Sequence, residues 1–418
     1  MDNHVPVTTP GGLALSGVRV LDLTHQVAGP SATLALAFLG ADVVKVVAPG
    51  DRSSYDQLPF YFQNASKRSM VVDLKSTEGH ELVLEMAQRA DVFAENFGPG
   101  VIERLGLGYE VLSELNPRLV YAQVKGFARK SPYERFPCWD PIAQAMSGAS
   151  SVTGEPDGLP MKPGPDVGDT GSGMMAALGI IAALYQREST GAGQHVEVSM
   201  ADNVAAALRI HFGYPIGRNV PTPRFGNGPP FTFPTSPSGL FPCAPLGPND
   251  YVHIHCGNER QWEALLGAID RTDLIDHAPY RGAESRGHHK DEVDEIVATW
   301  TRRRTKLEAM RELGQAGVPA GAVRTTLELL HDDDLYDRGV FVRVPHPELG
   351  TVTIPGWPVM MSASPARVTE PPQPGQHGSE VISDWLGATA DVAQRRAAAA
   401  AGPATQADTA TQAGARGA

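Results

Sequence analysis

Apolar and polar positions follow one another in blocks along the first 125 residues, and the blocks have two lengths. Short, nearly continuous apolar runs predict strands of the parallel-sheet type at 18–23, 42–47, 69–74, 91–95 and 119–124. Longer mixed segments predict helices at 31–39 and 77–89 and within 101–115. Regular alternation of strand and helix indicates an α/β fold with a doubly wound parallel sheet.

Composition changes divide the rest of the chain. Residues 1–14 are polar and predict a loose lead-in, and 15–210 form the first part of a large domain. The stretch 211–248 is rich in Pro and Gly and predicts a linker, followed by a small α/β domain over 249–325. A second linking region covers 326–387. From 388 to 418 the sequence is mostly Ala, Thr, Gln and Gly, which predicts a disordered tail.

Charge and cysteine content narrow the class of protein. The 418 residues carry a formal net charge of −12, which disfavours nucleic acid or an anionic membrane as the main partner. Three scattered cysteines favour a reducing cytoplasm, and the histidines form no metal-binding pattern, so we expect no metal. The longest strongly apolar run, 174–185, is shorter than the roughly 20 residues that span a bilayer, so we expect a soluble protein.

One acidic residue stands out between these segments. Asp169 lies in the run Gly-Asp-Thr-Gly-Ser-Gly immediately before an apolar helix, where small residues allow a ligand to approach the backbone. Asp169 is therefore the candidate reactive group. The alternative is a structural role, because an Asp at this position is also a common N-cap of the following helix.

Loops after three predicted strands are candidate ligand contacts, because ligands of doubly wound sheets bind beyond the carboxyl ends of the strands. These loops are 25–30, 96–100 and 125–127. Basic residues close to them in sequence predict a site for phosphate groups, and they are Lys67, Arg68, Arg104, Lys125 and Arg129.

As a set, these residues resemble a known family, the class III (CaiB/BaiF-type) coenzyme A transferases, over roughly residues 15–387. The resemblance rests on ten segments in order, namely 21–24 with 28–30, 39–45, 64–69, 96–100, 115–118, 124–127, 168–169, 190–194, 317–321 and 375–377. Each segment is short and common by itself, whereas the ordered set is specific.

The resemblance implies a Rossmann-like large domain built from both chain ends, a small domain between them, and an interlocked homodimer. Asp169 matches the family's catalytic aspartate. Coenzyme A, as an acyl-CoA substrate with a carboxylic acid as its partner, is then expected at Val27, Ala28, Asn96, Phe97, Arg104 and Lys125. Gln26, Trp139 and Asp140 are candidates for the substrate pocket.

The family chemistry places an acyl anhydride and then a CoA thioester on the aspartate. We expect the helix N-terminus to keep Asp169 ionised, and amides of the glycine turn to stabilise the oxyanion of each step.

Departures from the family pattern bear on substrate and reaction. Val27 stands where oxalate-specific members have Gln, and Trp139 stands where the family's racemases have a catalytic His. Since an indole has no basic nitrogen, racemisation lacks its second base. Two alternatives to a CoA-transferase stay open, an acyl-CoA racemase or isomerase on the same fold and a non-catalytic CoA-binding protein. No residue identifies the acid acceptor.

Overall fold

The structure, a computed structural model, describes residues 12–52, 55, 57–228 and 235–402. Most of the predicted lead-in and residues 403–418 of the predicted tail lie outside the described residues. Contacts divide the chain into two compact units. The first combines 1–149, 162–207 and 334–418, and the second combines 150–161 and 208–333.

A six-stranded parallel sheet forms the centre of the first unit. Its strands are β1 (Arg19–Asp22), β2 (Asp42–Val47), β3 (Arg68–Val71), β4 (Val92–Glu95), β5 (Val120–Lys125) and β6 (His195–Ser199). The strand order is β3-β2-β1-β4-β5-β6. The predicted α/β class with a parallel sheet is therefore confirmed. Strand order reverses between β1 and β4, which is where doubly wound sheets bind their ligands.

Helices cover both faces of this sheet. They are α1 (Ala28–Phe38), α2 (Leu58–Phe62), α3 (Thr77–Ala87), α4 (Val101–Arg104), α5 (Tyr109–Leu115), α6 (Asp140–Met146), α7 (Ser172–Thr190) and α8 (Met200–Ala207). Successive strand residues point to opposite faces. Val20 accordingly packs in the core under α1 and α7, whereas Leu21 packs in the core under α3.

Helix α7 is the longest helix, and with the turn before it the segment Val167–Thr190 is long and apolar enough to cross a membrane by length and composition. Its contacts show a core helix instead. Ala176, Ile180 and Ala183 are buried in the core that α1 and the sheet share. At Gly173 the two helices approach so closely that a Cβ would lie 2.5 Å from the carbonyl oxygen of Ala28.

The second unit holds a small antiparallel sheet with helices. Its elements are α9 (Gly213–Arg218), β7 (Ser238–Pro242), β8 (Tyr251–His255), α10 (Glu259–Ala268), α11 (Ala283–His288), α12 (Lys290–Thr301), α13 (Lys306–Gln315), β9 (Ala320–Ala322) and α14 (Thr326–Leu330), with 3₁₀ turns at Ser150–Val152, Thr272–Leu274 and Ala278–Tyr280. The predicted linker 211–248 is thus partly ordered, because β7 pairs along the whole of β8 despite its Pro- and Gly-rich sequence.

The chain then returns to the first unit with α15 (Asp333–Asp337), β10 (Phe341–His346), β11 (Gly350–Pro355), α16 (Gly378–Leu386) and α17 (Ala390–Ala401). Helix α17 corrects the prediction that the chain is disordered from 388. Its Ala393 and Ala400 are buried in the core, and Arg396 forms an ion pair with Glu85 of α3. The small alanine side chains of α17 allow close packing against α3. The low content of large apolar residues in this segment did not predict such packing.

Candidate active site

Two loops meet at the point where the sheet order reverses. The backbone N–H of His25, after β1, donates to Oδ1 of Asn96, after β4, at 2.7 Å. The Nδ2 group of Asn96 donates in return to the carbonyl oxygen of His25 at 2.8 Å. The His25 ring also packs edge-on against Phe97, with 4.8 Å between ring centroids. These contacts fix the two loops relative to each other at the carboxyl edge of the sheet.

A cavity of about 380 Å³ opens beside these loops. It brings together seven of the predicted site residues, namely Gln26, Ala28, Asn96, Phe97, Lys125, Trp139 and Asp169. The residues come from the ends of β1, β4 and β5 and from the segments before α6 and α7. We call this space the Asp169 cavity.

Asp169 lies half-buried in a π-helical turn, Val167–Gly171, that leads into α7. The turn is held by Asp140, whose Oδ1 accepts the backbone N–H groups of Gly168 at 2.8 Å and of Asp169 at 3.3 Å. A Cβ on Gly168 would lie 2.9 Å from that same oxygen, so a glycine is needed for this close approach. Predicted as a pocket residue, Asp140 instead lies buried beneath the turn and positions it.

The structure does not support the N-cap alternative for Asp169. The N-cap residue of the π-helical turn is Asp166 and that of α7 is Gly171, so Asp169 occupies neither cap position. Asp169 lies within the turn and lines the cavity.

We expected the helix N-terminus to keep Asp169 ionised, and the direction of its pKa shift bears on this expectation. Burial, together with the nearby charges of Asp140 and Asp166, raises the pKa of Asp169 to about 6, and Lys162 offsets this only in part. Near neutral pH the carboxylate is still ionised, but it is held as a more basic and more reactive anion than an exposed Asp.

The amides of the turn were expected to stabilise an oxyanion, but most are already used. Gly168 and Asp169 donate to Asp140, and Thr170 donates to the carbonyl oxygen of Asp166 at 2.8 Å. A second set of amides lies across the cavity. Helix α1 begins at Ala28, which lines the cavity, and its N-terminus has no side-chain cap in the structure as described. Pro30 has no N–H and the Ser31 N–H donates to the carbonyl oxygen of Val27 at 2.8 Å, so the N–H groups of Ala28 and Gly29 are the remaining donors of this first turn.

Several basic residues predicted to bind phosphate are already paired. Lys125 Nζ lies 3.0 Å from the Glu95 carboxylate and donates to the carbonyl oxygen of Phe97 at 2.6 Å. Lys67 is buried against Asp22 at 2.9 Å, and Arg68 pairs with Asp42 at 2.6 Å. The prediction that these lysines and Arg68 supply open positive charge is wrong, because acidic side chains of neighbouring strands neutralise them.

A second cavity, of about 500 Å³, adjoins the first and contains Arg104. Lys125 lines both cavities, whereas Val27 and Asp140 line neither of these two. Val27 is instead the N-cap residue of α1. His195 also lines the second cavity and stacks on Tyr109 with 5.0 Å between ring centroids.

Some residues of the site were not predicted individually. His25, which belongs to the predicted ligand loop 25–30, lines the Asp169 cavity, and burial lowers its pKa to about 4, so its ring is neutral. Cys138 lines the same cavity, and burial together with Asp169 raises the pKa of its thiol to about 11. Glu95 is buried at the end of β4, and its carboxylate accepts the backbone N–H of Phe97 at 2.7 Å. The polar residues that follow β1 and β4 can be recognised in the sequence. The contact between the two loops that contain them depends on the tertiary fold.

The described residues contain no candidate metal-binding cluster. No three of their His, Cys, Asp or Glu side chains are placed to hold a metal ion. The expectation of a site without metal stays a prediction.

Comparison with known proteins agrees with this geometry. The sequence pattern of CoA-transferase family III matches residues 15–378. A formyl-CoA:oxalate CoA-transferase of Streptomyces coelicolor is 38% identical over 393 residues, covering 90% of this chain and 95% of the relative. Another, from Rhodopseudomonas palustris, is 36% identical over 405 residues, covering 90% of this chain and 94% of the relative.

Solved structures give the same result. A CaiB/BaiF family protein from Brucella suis matches with a TM-score of 0.80 at 27% identity, covering 90% of this chain and all of that one. A protein from Mycobacterium tuberculosis matches with a TM-score of 0.76 at 28% identity, covering 88% and 98%. The chain described here therefore belongs to CoA-transferase family III, the class III CoA-transferases.

Proposed function

We propose that this CoA-transferase uses Asp169 as its nucleophile and moves CoA from an acyl-CoA donor to a free carboxylic acid. The observation that carries the proposal is the placement of the Asp169 carboxylate. It lines the cavity at the reversal point of the sheet, occupies neither cap position, and has a raised pKa. A half-buried carboxylate of this kind suits attack on a carbonyl carbon.

The reaction balances in four transfers. A carboxylate oxygen of Asp169 attacks the donor thioester, the C–S bond breaks, and a mixed anhydride and CoA thiolate result. The thiolate attacks the Asp169 carbonyl, which releases the donor acid and leaves an aspartyl-CoA thioester. The acceptor carboxylate then attacks this thioester and gives a second anhydride. CoA thiolate finally attacks the acceptor carbonyl and frees Asp169. Each carbonyl attack develops an oxyanion, and we assign its stabilisation to the N–H groups of Ala28 and Gly29 at the start of α1.

The rest of the CoA molecule is assigned to the neighbouring loops. Ala28, Asn96 and Phe97 line the Asp169 cavity, and Arg104 lines the adjoining one. The thioester end is placed at Asp169, and the phosphate-bearing end runs along the loop after β4 towards Arg104. We assign the protein to the cytoplasm, because Cys138, Cys243 and Cys256 are all free thiols.

The test of the function is direct. The full-length protein is mixed with acyl-CoA donors and free carboxylic acids without ATP, and new CoA esters are measured by mass spectrometry. A 2-methylacyl-CoA in deuterated water is followed in parallel. We expect a new CoA ester and no α-deuterium uptake above background, because His25 with its lowered pKa is a weak partner base for Asp169. Deuterium uptake without transfer would establish the racemase alternative. Tight CoA binding with neither reaction would establish the binding protein.

The pH dependence of turnover follows from the state of Asp169. Attack requires the anion, so kcat/KM is expected to rise with pH through about 6 and, for one ionisation, to fall at pH 5 to about a tenth of its plateau. Asp140→Asn removes a negative charge that raises this pKa, so the acid limb moves to lower pH. Lys162→Gln removes a positive charge that lowers it, so the limb moves to higher pH. Shifts in the same direction for both variants would contradict the assignment.

We also propose a homodimer, in which the two chains interlock. The first unit is built from both ends of the chain with the second unit between them. Helices α6 and α7 expose large apolar side chains that a second copy would cover, namely Ile142, Met146, Met175, Leu178 and Tyr185. Sedimentation at nanomolar concentration is expected to show a dimer. Leu178→Glu is expected to weaken dimer assembly, whereas the exposed Leu327→Glu on α14 serves as the matched control. Monomers of the unmodified chain at that concentration would refute the proposal.

A further inference from the structure

We infer that the acid acceptor of this enzyme is a monocarboxylic acid with an apolar body, aliphatic or aromatic, and not a dicarboxylate such as oxalate. The inference rests on the proposed transfer at Asp169 and goes further, because it names the substrate class from the cavity walls. It also separates this chain from the formyl-CoA:oxalate CoA-transferases to which it is similar.

Apolar side chains form most of the wall around Asp169. They come from four separate parts of the fold, and they are Phe97, Val124, Phe136, Pro137, Trp139 and Met200. Val124 and Met200 are buried and close the inner end, whereas Phe136 is 56% exposed and Trp139 is 61% exposed. Such exposed aromatic rings at a cavity mouth gain contact area when an apolar ligand covers them.

Three polar side chains of the same cavity, those of Asn96, Lys125 and Glu134, already form hydrogen bonds within the protein. Both ends of the Asn96 amide are bonded to the His25 backbone. Lys125 is bonded to Glu95 and to the Phe97 carbonyl oxygen. The Glu134 carboxylate accepts the backbone N–H of Lys130 at 2.9 Å. The lining's other side-chain N–H donors belong to Gln26, His25 and Trp139, and all three are uncharged, so none of them supplies a cation for a second carboxylate.

Charge leads to the same conclusion. Among the described residues lining the cavity, the cation is Lys125 and the anions are Glu134 and Asp169, while the His25 ring is neutral, so the formal charge is +1 − 2 = −1. A monocarboxylate loses its charge when it forms the anhydride. A dicarboxylate keeps one negative charge in the cavity, and the net negative charge of the lining repels it.

Competition between acids tests the inference. The full-length enzyme receives one donor at a time, formyl-CoA, acetyl-CoA or succinyl-CoA, with equal concentrations of oxalate, succinate, 3-methylbutanoate and phenylacetate. We expect kcat/KM for an apolar acid to exceed that for either dicarboxylate by about tenfold or more. Preference for oxalate or succinate would overturn the inference and leave the proposed transfer standing. Failure to form any CoA ester would refute the proposed function itself.

A charge introduced at the cavity mouth gives an independent readout. Phe136→Arg adds a cation at an exposed position, and Phe136→Gln is the matched control, because it removes the same ring without adding charge. We expect Phe136→Arg to raise the oxalate-to-phenylacetate ratio of kcat/KM about tenfold above that of Phe136→Gln. Equal ratios in the two variants would show that charge does not set the specificity, and they would overturn the inference.

Discussion

Replacing Asp169 with Asn is expected to lower the rate of CoA transfer by about 10⁴-fold or more, because the variant cannot form the covalent intermediate. The change keeps the size and shape of the side chain. It removes only the charge and the nucleophilic oxygen. The turn itself is expected to survive, because Asp140 holds it through the backbone N–H groups of Gly168 and Asp169, which the substitution does not alter.

Three measurements separate loss of chemistry from loss of structure. CoA affinity by calorimetry is expected to stay within about threefold of the wild type, since uncharged contacts of the loops remain. Mass spectrometry of the wild type incubated with acyl-CoA is expected to find a CoA adduct on the peptide with Asp169, and none in the variant. Asp166→Asn, measured at pH 8, is the matched control, because Asp166 is exposed and pairs with Lys162. A variant at position 169 that keeps a tenth of wild-type turnover would contradict the nucleophile assignment.

The framework of the first unit follows closely from the sequence pattern. Strand β2 was predicted with the bounds that it has, because a short apolar run between an Asp and a Pro is typical of a buried parallel strand. Strand β6 was not predicted as a strand. Its residues alternate Val196 and Val198 with polar neighbours, and it lies at the sheet edge, where half-buried positions weaken the apolar signal.

The site shows where sequence reasoning stops. The position of Asp169 in a glycine-rich turn is local information, and it identified the candidate reactive group. Its pKa and its partner are not local, because Asp140 lies 29 residues earlier in the chain and meets it only through the packing of α6. Lys67 illustrates the same limit. A lysine after an apolar segment suggests open positive charge, but the fold buries it against Asp22.

The buried charges beneath the His25 loop lead to the second large prediction. Asp22, at the end of β1, is fully buried and lies 2.9 Å from Lys67 Nζ and 3.8 Å from Lys45 Nζ. Its carboxylate also accepts the hydroxyls of Thr24 at 2.5 Å and Thr33 at 2.7 Å. Burial alone would raise the pKa of Asp22, but the two ammonium groups and the hydroxyls hold it well below its usual range.

Two buried ammonium groups lie against the Asp22 carboxylate, and the negative charge of Asp51 also acts on Lys45. Burial, with the neighbouring Lys45, lowers the pKa of Lys67 to about 8 although Asp22 opposes the shift. Asp22→Asn leaves the Lys67 ammonium group without the carboxylate that it contacts and removes one of the two negative charges that act on Lys45. It is expected to lower the free energy of unfolding by about 3–5 kcal/mol, the cost of breaking a buried pair from one side.

A double-mutant cycle tests whether this loss comes from uncompensated charge or from the altered side chain alone. Lys67→Met removes one ammonium group and keeps much of its apolar volume. If charge is the cause, Asp22→Asn combined with Lys67→Met is expected to be more stable than Asp22→Asn by at least about 1 kcal/mol, measured by urea unfolding at pH 7. The stabilising effect of Asp22 requires its ionised form. It is therefore present above the unfolded pKa of about 4 and is lost as the pH falls through the depressed folded value. The difference between wild type and Asp22→Asn should accordingly shrink progressively as the pH falls below about 4. Strictly additive losses in the cycle, or a difference that disappears already at pH 5, would show that the cluster does not stabilise the loop through its charges.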